Sequence, residues 1–401
     1  MPVSTLKTYT IDELDQWFTD LEAVLIKLSP LWRPQPYKQE RPEWCESHPA
    51  MTAALLSLTD AQHHALRQDD VALCRWLSNW IEEFGAVNRL TQLHYLEQPI
   101  RIDNKHLDWA IPGRKWQQIT RFVSALENTQ QSVMEWCGGK GHLGRVIGAH
   151  WDVSVMTLEI NQALCDDGQR LAKRANVQQV FQRVDVLSKE VPKLNSNHAI
   201  ALHACGELHR QLIRKSIAEN VTALDIAPCC YHLGAEENYQ PFSADAGLTL
   251  GRDDLRLSVT ETVTSSGREV KQRDIEMAWK LGFNLLRKEI LGEQEYQSLR
   301  PIDKAWLKNG FHDFCLKLAK REAMELPATI DWCHFEQAGW SRQSEVMRLS
   351  LLRHAIRRPM ELWLVLDMAR FLQTHGYAIR LATFCLSSLT PRNILLSARK
   401  I

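Results

Sequence analysis

Glu135-Trp136-Cys137-Gly138-Gly139-Lys140-Gly141-His142-Leu143-Gly144 follows a short apolar run and opens a helix-like stretch. Glycines let backbone approach a ligand closely and take conformations closed to other residues. A loop of this composition between a strand and a helix predicts a nucleotide-type site. Gly139, Gly141 and Gly144 spell G-x-G-x-x-G, a dinucleotide fingerprint that is weak by itself. Two acids follow in order. Glu159 ends the second apolar run, 20 residues beyond Gly139, and suits the hydroxyls of a ribose. Asp185, followed by Val186, ends the third in Arg-Val-Asp-Val.

Two of these acids favour S-adenosylmethionine over a nicotinamide dinucleotide. Glu135 stands just before the glycines, where it reaches an amino group through water or backbone. Asp185 stands where an adenine edge would be read. A dinucleotide site needs neither.

A second group of reactive side chains follows: His203-Ala204-Cys205-Gly206-Glu207, then Asp225-Ile226-Ala227-Pro228-Cys229-Cys230-Tyr231-His232. Cys229 or Cys230 as a nucleophile is one reading. Zinc binding is a second, which the spacing disfavours: there is no Cys-x-x-Cys, and adjacent cysteines are poor joint ligands, so no metal is expected. The favoured reading is a hydrogen-bonding wall that orients an acceptor, with His203 or His232 as general base. In the plainest alternative the thiols are small buried hydrophobes and the imidazoles are satisfied polar groups.

The elements that must position these residues follow from periodicity. Short apolar runs at 133–136, 153–160, 177–186, 198–206 and 221–228 alternate with helix-like stretches such as Gln162–Ala175 and Leu208–Glu219. Strands separated by single helices pair in parallel, because a parallel connection needs a crossover. An open, doubly wound α/β sheet is predicted, with ligands at its carboxyl edge. Residues 1–105 read as a helical N-terminal domain, with Leu14, Phe18, Leu21, Leu25 and Leu28 on one stripe and a proline-bearing, extended connector at 30–42. Residues 106–228 form the cofactor half of the sheet domain and 229–360 a largely helical insertion capping the site. Residues 361–401 add a helix and two closing strands, Tyr377–Cys385 and Asn393–Arg399.

Composition limits the rest. The 401 residues, 45% hydrophobic and 24% charged, describe a globular protein of about two units. The longest apolar stretches, Met51–Leu58 and Leu362–Leu366, are too short to span a membrane. Ten scattered cysteines and no signal-like leader suit the reducing cytoplasm. The fourteen tryptophans, mostly among aliphatic neighbours, suit packing better than base stacking. Net charge is zero but uneven: 8 basic against 14 acidic side chains over 1–100, and 21 against 14 over 271–401. The basic segment could steer a polyanion, with Arg353, Arg357 and Arg358 as its expected contacts.

Gly139-Lys140-Gly141-His142-Leu143, Leu202-His203-Ala204-Cys205-Gly206 and Pro228-Cys229-Cys230-Tyr231-His232-Leu233 together resemble a family of S-adenosylmethionine-dependent methyltransferase domains. That family includes eukaryotic methyltransferase-like proteins, the glutathione S-transferase C-terminal-domain-containing protein and tRNA 2′-O-methyltransferase relatives. Gly113-Arg114-Lys115-Trp116-Gln117-Gln118-Ile119 resembles its Lys-Lys-x-His-Glu-Ile segment, and Thr390-Pro391-Arg392-Asn393 its Ser-Pro-Arg-Asn. Here Glu135 replaces the usual Asp, Cys137 the usual first glycine, and Gln117-Gln118 the His-Glu pair. The resemblance implies a Rossmann-like class I methyltransferase fold with S-adenosylmethionine held by Lys115, Glu135, Cys137, Gly139, Gly141, His142, Leu143, Glu159, Asp185 and Val186. His203, Cys205, Cys229, Cys230 and His232 would face the acceptor. The expected acceptor is RNA, tRNA or rRNA. A protein or small-molecule methyltransferase, or a non-catalytic cofactor-binding module, is the alternative. Nothing in the sequence points to DNA specificity or to an oligomeric state.

Overall fold

The computed structural model describes residues 5–96, 107–188, 193–194, 198–235, 237–259, 267–292 and 297–401. The chain divides into two units, Met1–Lys27 with Ala86–Thr264 and Ile356–Ile401, and Leu28–Gly85 with Ser265–Ala355.

The first unit is built on a seven-stranded sheet: β1 (Val133–Trp136), β2 (Val155–Glu159), β3 (Gln179–Arg183), β4 (His198–Cys205), β5 (Ala223–Cys229), β6 (Tyr377–Thr383) and β7 (Ile394–Lys400). Their order is β3-β2-β1-β4-β5-β7-β6. The first five are parallel, as the alternating runs require, and β7 lies antiparallel between β5 and β6. Every residue of β1 is buried, as expected for a strand covered on both faces. The order reverses between β1 and β4. Their outgoing loops part there and leave a crevice at the carboxyl edge, where open α/β sheets bind ligands.

The N-terminal helix Ile11–Lys27 buries its predicted stripe of Leu14, Phe18, Leu21 and Leu25. It packs on the helix Arg357–Thr374 of the same unit, with Phe18 stacked on Trp363 at 5.3 Å between ring centroids. The units therefore cut the chain differently from the boundaries at 105, 228 and 360. Residues up to 27 and from 86 join the sheet, because that stripe finds its apolar partner 340 residues on. Residues 229–259 stay with the sheet too, and the helical portion of the insertion begins beyond them.

In the second unit the proline connector is not simply extended. Ser29–Trp32 is a helical turn with Pro30 in its first positions, where no amide donor is needed, and Trp32 is fully buried. The helices Gly267–Leu291 and Trp332–Leu349 meet at Gly282 and Gly339, where a Cβ on Gly339 would stand 2.4 Å from the Ala278 carbonyl oxygen. Of the fourteen tryptophans only Trp340 is exposed, in keeping with a packing role.

Candidate functional site

The loop after β1 turns through three left-handed residues, Cys137 (φ 54°), Gly139 (φ 62°) and Gly141 (φ 62°). Cys137 takes a conformation costing a non-glycine residue about 1 kcal/mol or more, at the position where the resembling family carries glycine. Burial pushes its thiol up to about 12, so it stays protonated and unreactive. Gly141 is required for space as well: a Cβ there would lie 2.3 Å from Gln179 Nε2.

Beneath the loop Glu135 is buried. The Thr157 hydroxyl donates to its Oε2 at 2.8 Å, and the Gly144 amide donates to the carboxylate as well. Gln179 Nε2 donates to the Gly141 carbonyl at 3.0 Å, tying loop to β3. Glu135 is thus tied to the loop helix through the Gly144 amide and to β2 through Thr157. Burial raises its carboxyl from 4.5 to about 7 against the pull of these donors. Its folded-state value lies above the unfolded one, so the stability present below about pH 4.5 is lost as pH rises through about 7. Glu135→Gln is expected to remove up to about 3 kcal/mol of that loss. Urea unfolding near pH 5 and pH 8 would show it, and an unchanged slope would exonerate Glu135.

A cavity of about 470 Å³ opens above the loop, lined by Pro112, Arg114, Lys115, Gln118, Ile119, Glu135, Trp136, Cys137, Gly138, Gly139, His142, Leu143, Leu202 and His203. It lies at the β1–β4 switch and is of ligand size. Nothing stands within 4 Å of where a Cβ on Gly139 would be, so that backbone faces open space. Seven predicted residues line this cavity: Lys115, Glu135, Cys137, Gly139, His142, Leu143 and His203. Arg114 and Gln118 were missed as lining residues, although they share the segment that carries Lys115. They hold the loop before β7 in place: Arg114 Nε donates to the Leu389 carbonyl at 2.8 Å and Gln118 Nε2 to the same oxygen at 3.1 Å. His142 is held neutral, down at about 3, by burial and Arg145. Arg145 Nη2 lies 3.1 Å from its Nδ1, so Nδ1 accepts and Nε2 carries the proton.

Glu159 and Asp185 are not among the residues that line this cavity; Glu159 ends β2 and Asp185 follows β3, where the Val184 amide donates to the Glu159 carbonyl at 2.9 Å. The Glu159 carboxylate accepts from the Gly139 amide at 3.0 Å and from the Asn161 amide at 2.9 Å. Asp185 accepts from the Leu187 amide at 3.0 Å, and Val186 is buried. Gly139, whose backbone faces open space with its amide tied to Glu159, Lys115 and Glu159 give close backbone approach, a cation and an oriented acid, which suit the polar groups of S-adenosylmethionine.

The edge after β4 and β5 gathers the second group. The β4–β5 register slips between Leu202 and Cys205, with His203 left-handed at φ 64°. That slip sets Cys205 opposite Cys229, their Sγ atoms 3.3 Å apart. Cys230 is left-handed too, at φ 46°. The Sγ atoms of Cys205, Cys229 and Cys230 all lie within 4.8 Å of one another. The objection that adjacent cysteines do not converge is thereby overturned by backbone conformation. Hydrogen bonds within the trio hold Cys229 as a thiol and favour the thiolate at Cys230, which Arg392 also favours. His203 is held neutral, down at about 4, by burial and by Arg392. Its Nδ1 and that of His232 are buried and accept no hydrogen bond from a described residue.

An open sheet of this order with a reversed β7, a glycine loop after β1 and acids closing β2 and β3 define a Rossmann-like class I methyltransferase domain, whose cofactor is S-adenosylmethionine. Residues 114–237 match the profile of a family described as a methyltransferase domain. The chain thus carries an S-adenosylmethionine-dependent methyltransferase domain. Similar solved structures include the tRNA (uracil-54, C5)-methyltransferase of Pyrococcus abyssi in complex with S-adenosyl-L-homocysteine, at 20% identity over 28% of this chain and 29% of that one, TM-score 0.25. Others are TrmN from Thermus thermophilus, at 14% over 31% and 41%, TM-score 0.25, and magnesium protoporphyrin IX methyltransferase from Synechocystis PCC 6803 with bound S-adenosyl-L-homocysteine, at 10% over 68% and 75%, TM-score 0.28. The chain spans less than half the length of the first two. No curated protein matches it in sequence. No described helix is long and apolar enough to cross a membrane.

Proposed function

We propose that the protein transfers the methyl group of S-adenosylmethionine to RNA, tRNA or rRNA, in the cytoplasm. Gly139, Gly141 and the loop backbone would hold the methionine part, with Lys115 against its carboxylate, His142 and Leu143 lining it, and Glu135 and Cys137 shaping the loop. Glu159 would take the ribose, and Asp185 with Val186 the adenine. The cofactor supplies an activated methyl group, and the chain supplies position and exclusion of water, which carry most of the rate in such a displacement. His203 is neutral at physiological pH and has an unpartnered buried nitrogen. With its pKa down at about 4 it is a feeble base, which favours an orienting hydrogen bond to the acceptor over proton abstraction. Cys205, Cys229, Cys230 and His232 complete the acceptor wall.

The observation that carries RNA as acceptor is a groove of about 570 Å³ in the helical unit. It is lined by Arg268, Lys271, Lys304 and Lys308 with Gly267, Gln272, Ile275 and Leu307, and by no acid. None of the four cations pairs with a described acid. The arginines first expected in this role are engaged elsewhere. Arg353 Nη1 donates to the Trp32 carbonyl and to that of Arg33 at 2.9 Å. Arg357 is buried, and Arg358 donates to Glu361 at 2.7 Å. Replacing all four groove cations with alanine is expected to flatten the log–log salt dependence of single-stranded RNA binding by roughly three units, at about 0.7 for each phosphate no longer neutralised. Filter binding across a salt series measures it, and an unchanged slope would remove this groove from the proposal.

A small-molecule acceptor is the second reading, favoured by a separate cavity of about 330 Å³ lined by Arg210, Arg214, Tyr231 and Tyr239 among others.

A further inference from the structure

The three thiols at the β4–β5 edge have a geometry that the methyl-transfer reading does not use. Tetrahedral zinc–thiolate bonds of about 2.3 Å place sulfur atoms roughly 3.8 Å apart. Cys205 and Cys229 stand 3.3 Å apart and all three sulfurs lie within 4.8 Å of one another, separations that small side-chain shifts bring to that value. No further His, Cys, Asp or Glu among the described residues joins them.

Their convergence is built by the backbone. In an uninterrupted strand Cys229 and Cys230 would point to opposite faces, and Cys205 would not stand opposite Cys229 without the slip after Leu202. Two non-glycine residues in left-handed conformation, His203 and Cys230, bring all three sulfurs to one point. Such residues cost about 1–3 kcal/mol each and cluster where function requires them. Charge agrees as well. A divalent ion with three thiolates carries one net negative charge, and the Arg392 guanidinium acts on both Cys205 and Cys230.

We infer that Cys205, Cys229 and Cys230 form a zinc site with three protein ligands and an open fourth position. Zinc sites with four protein ligands are structural, whereas those with three leave room for water or a substrate atom. The site lies on the same sheet edge as His203, which lines the cofactor cavity, so an oxygen, nitrogen or sulfur of the acceptor could take the fourth position. This goes beyond the RNA proposal and does not depend on it, since its readout is metal rather than methyl transfer.

The test uses the full chain purified under reducing conditions without chelator. Elemental analysis is expected to find one zinc per chain. Exchange for cobalt(II) should give a sulfur-to-cobalt charge-transfer band whose intensity falls by about a third in Cys205→Ser and in Cys230→Ser. Each variant should lose zinc affinity by more than the roughly 10–100-fold that an outer-sphere change costs. Cys333→Ser, at an exposed cysteine of the other unit, should retain both metal and spectrum. Circular dichroism of each variant and its binding of S-adenosyl-L-homocysteine separate ligand loss from misfolding. A reduced protein with all ten thiols free that takes up neither zinc nor cobalt would overturn the inference. So would full metal retention in both serine variants, or a Cys205–Cys229 disulfide that forms while zinc is present.

Discussion

Glu159→Ala is expected to weaken S-adenosyl-L-homocysteine binding by about 100-fold, a loss of roughly 3 kcal/mol. A carboxylate has about four acceptor positions. In Glu159 the amides of Gly139 and Asn161 take one on each oxygen, which fixes the group and leaves one on each for a ribose hydroxyl. Hydrogen bonds to a charged group contribute about 1.5–3 kcal/mol apiece, so losing both, with the loop tether, accounts for the figure. Ligand at a hundred times the wild-type dissociation constant should stabilise wild type by about 2.7 kcal/mol. The same concentration should stabilise the variant by only about 0.4 kcal/mol, since it then sits near the new constant. Thermal unfolding with and without ligand reads the difference, with titration calorimetry as the direct measure. Glu159→Gln keeps one acceptor oxygen and should fall between. An unchanged affinity in Glu159→Ala would remove the ribose role and, with it, the ordering of acids from which the cofactor site was read.

The parts of the site that could be read in advance are those whose signal is local. β1 runs from Val133 to Trp136 in sequence pattern and in structure alike, because a strand buried on both faces is a near-continuous apolar run, broken here by the buried Glu135. The glycine loop is legible because its backbone angles demand glycine at Gly139 and Gly141. What stayed hidden depends on distant partners. The stripe on Ile11–Lys27 says that the helix is buried but not that Arg357–Thr374 covers it. Arg353 and Arg358 count as free charge in a composition, whereas the fold commits them to carbonyls and to Glu361. The meeting of Cys205 with Cys229 and Cys230 is invisible to ligand spacing, since a strand slip and two left-handed residues, His203 and Cys230, produce it.

Asp225→Ala is expected to cost about 3–5 kcal/mol, the loss typical when one partner of a buried ion pair is removed. Asp225 is fully buried on β5. It accepts from His198 Nε2 on β4 at 2.6 Å and from Arg399 on β7, with Nη2 at 3.0 Å and Nη1 at 3.2 Å. Three strands are joined through this one carboxylate, at the end of the sheet opposite the thiols. Burial alone would raise its carboxyl, but the Arg399 charge and the His198 hydrogen bond outweigh it and hold the group well below the usual range. A depressed folded-state value means that this stability is present above about pH 4 and is lost as pH falls further. Urea unfolding near neutral pH should show the loss in Asp225→Ala, and acid titration should show wild type approaching the variant as the carboxyl protonates. Part of the cost is the penalty of leaving the half-buried Arg399 with Glu127 alone, whose carboxylate accepts from its Nε at 3.1 Å. Adding Arg399→Met to Asp225→Leu should therefore recover a substantial share, with a coupling of about 1–3 kcal/mol in the double-mutant cycle. Strict additivity of the two single losses would mean that Asp225 acts mainly through His198, and that β7 is held to β5 by its ladder and its apolar face.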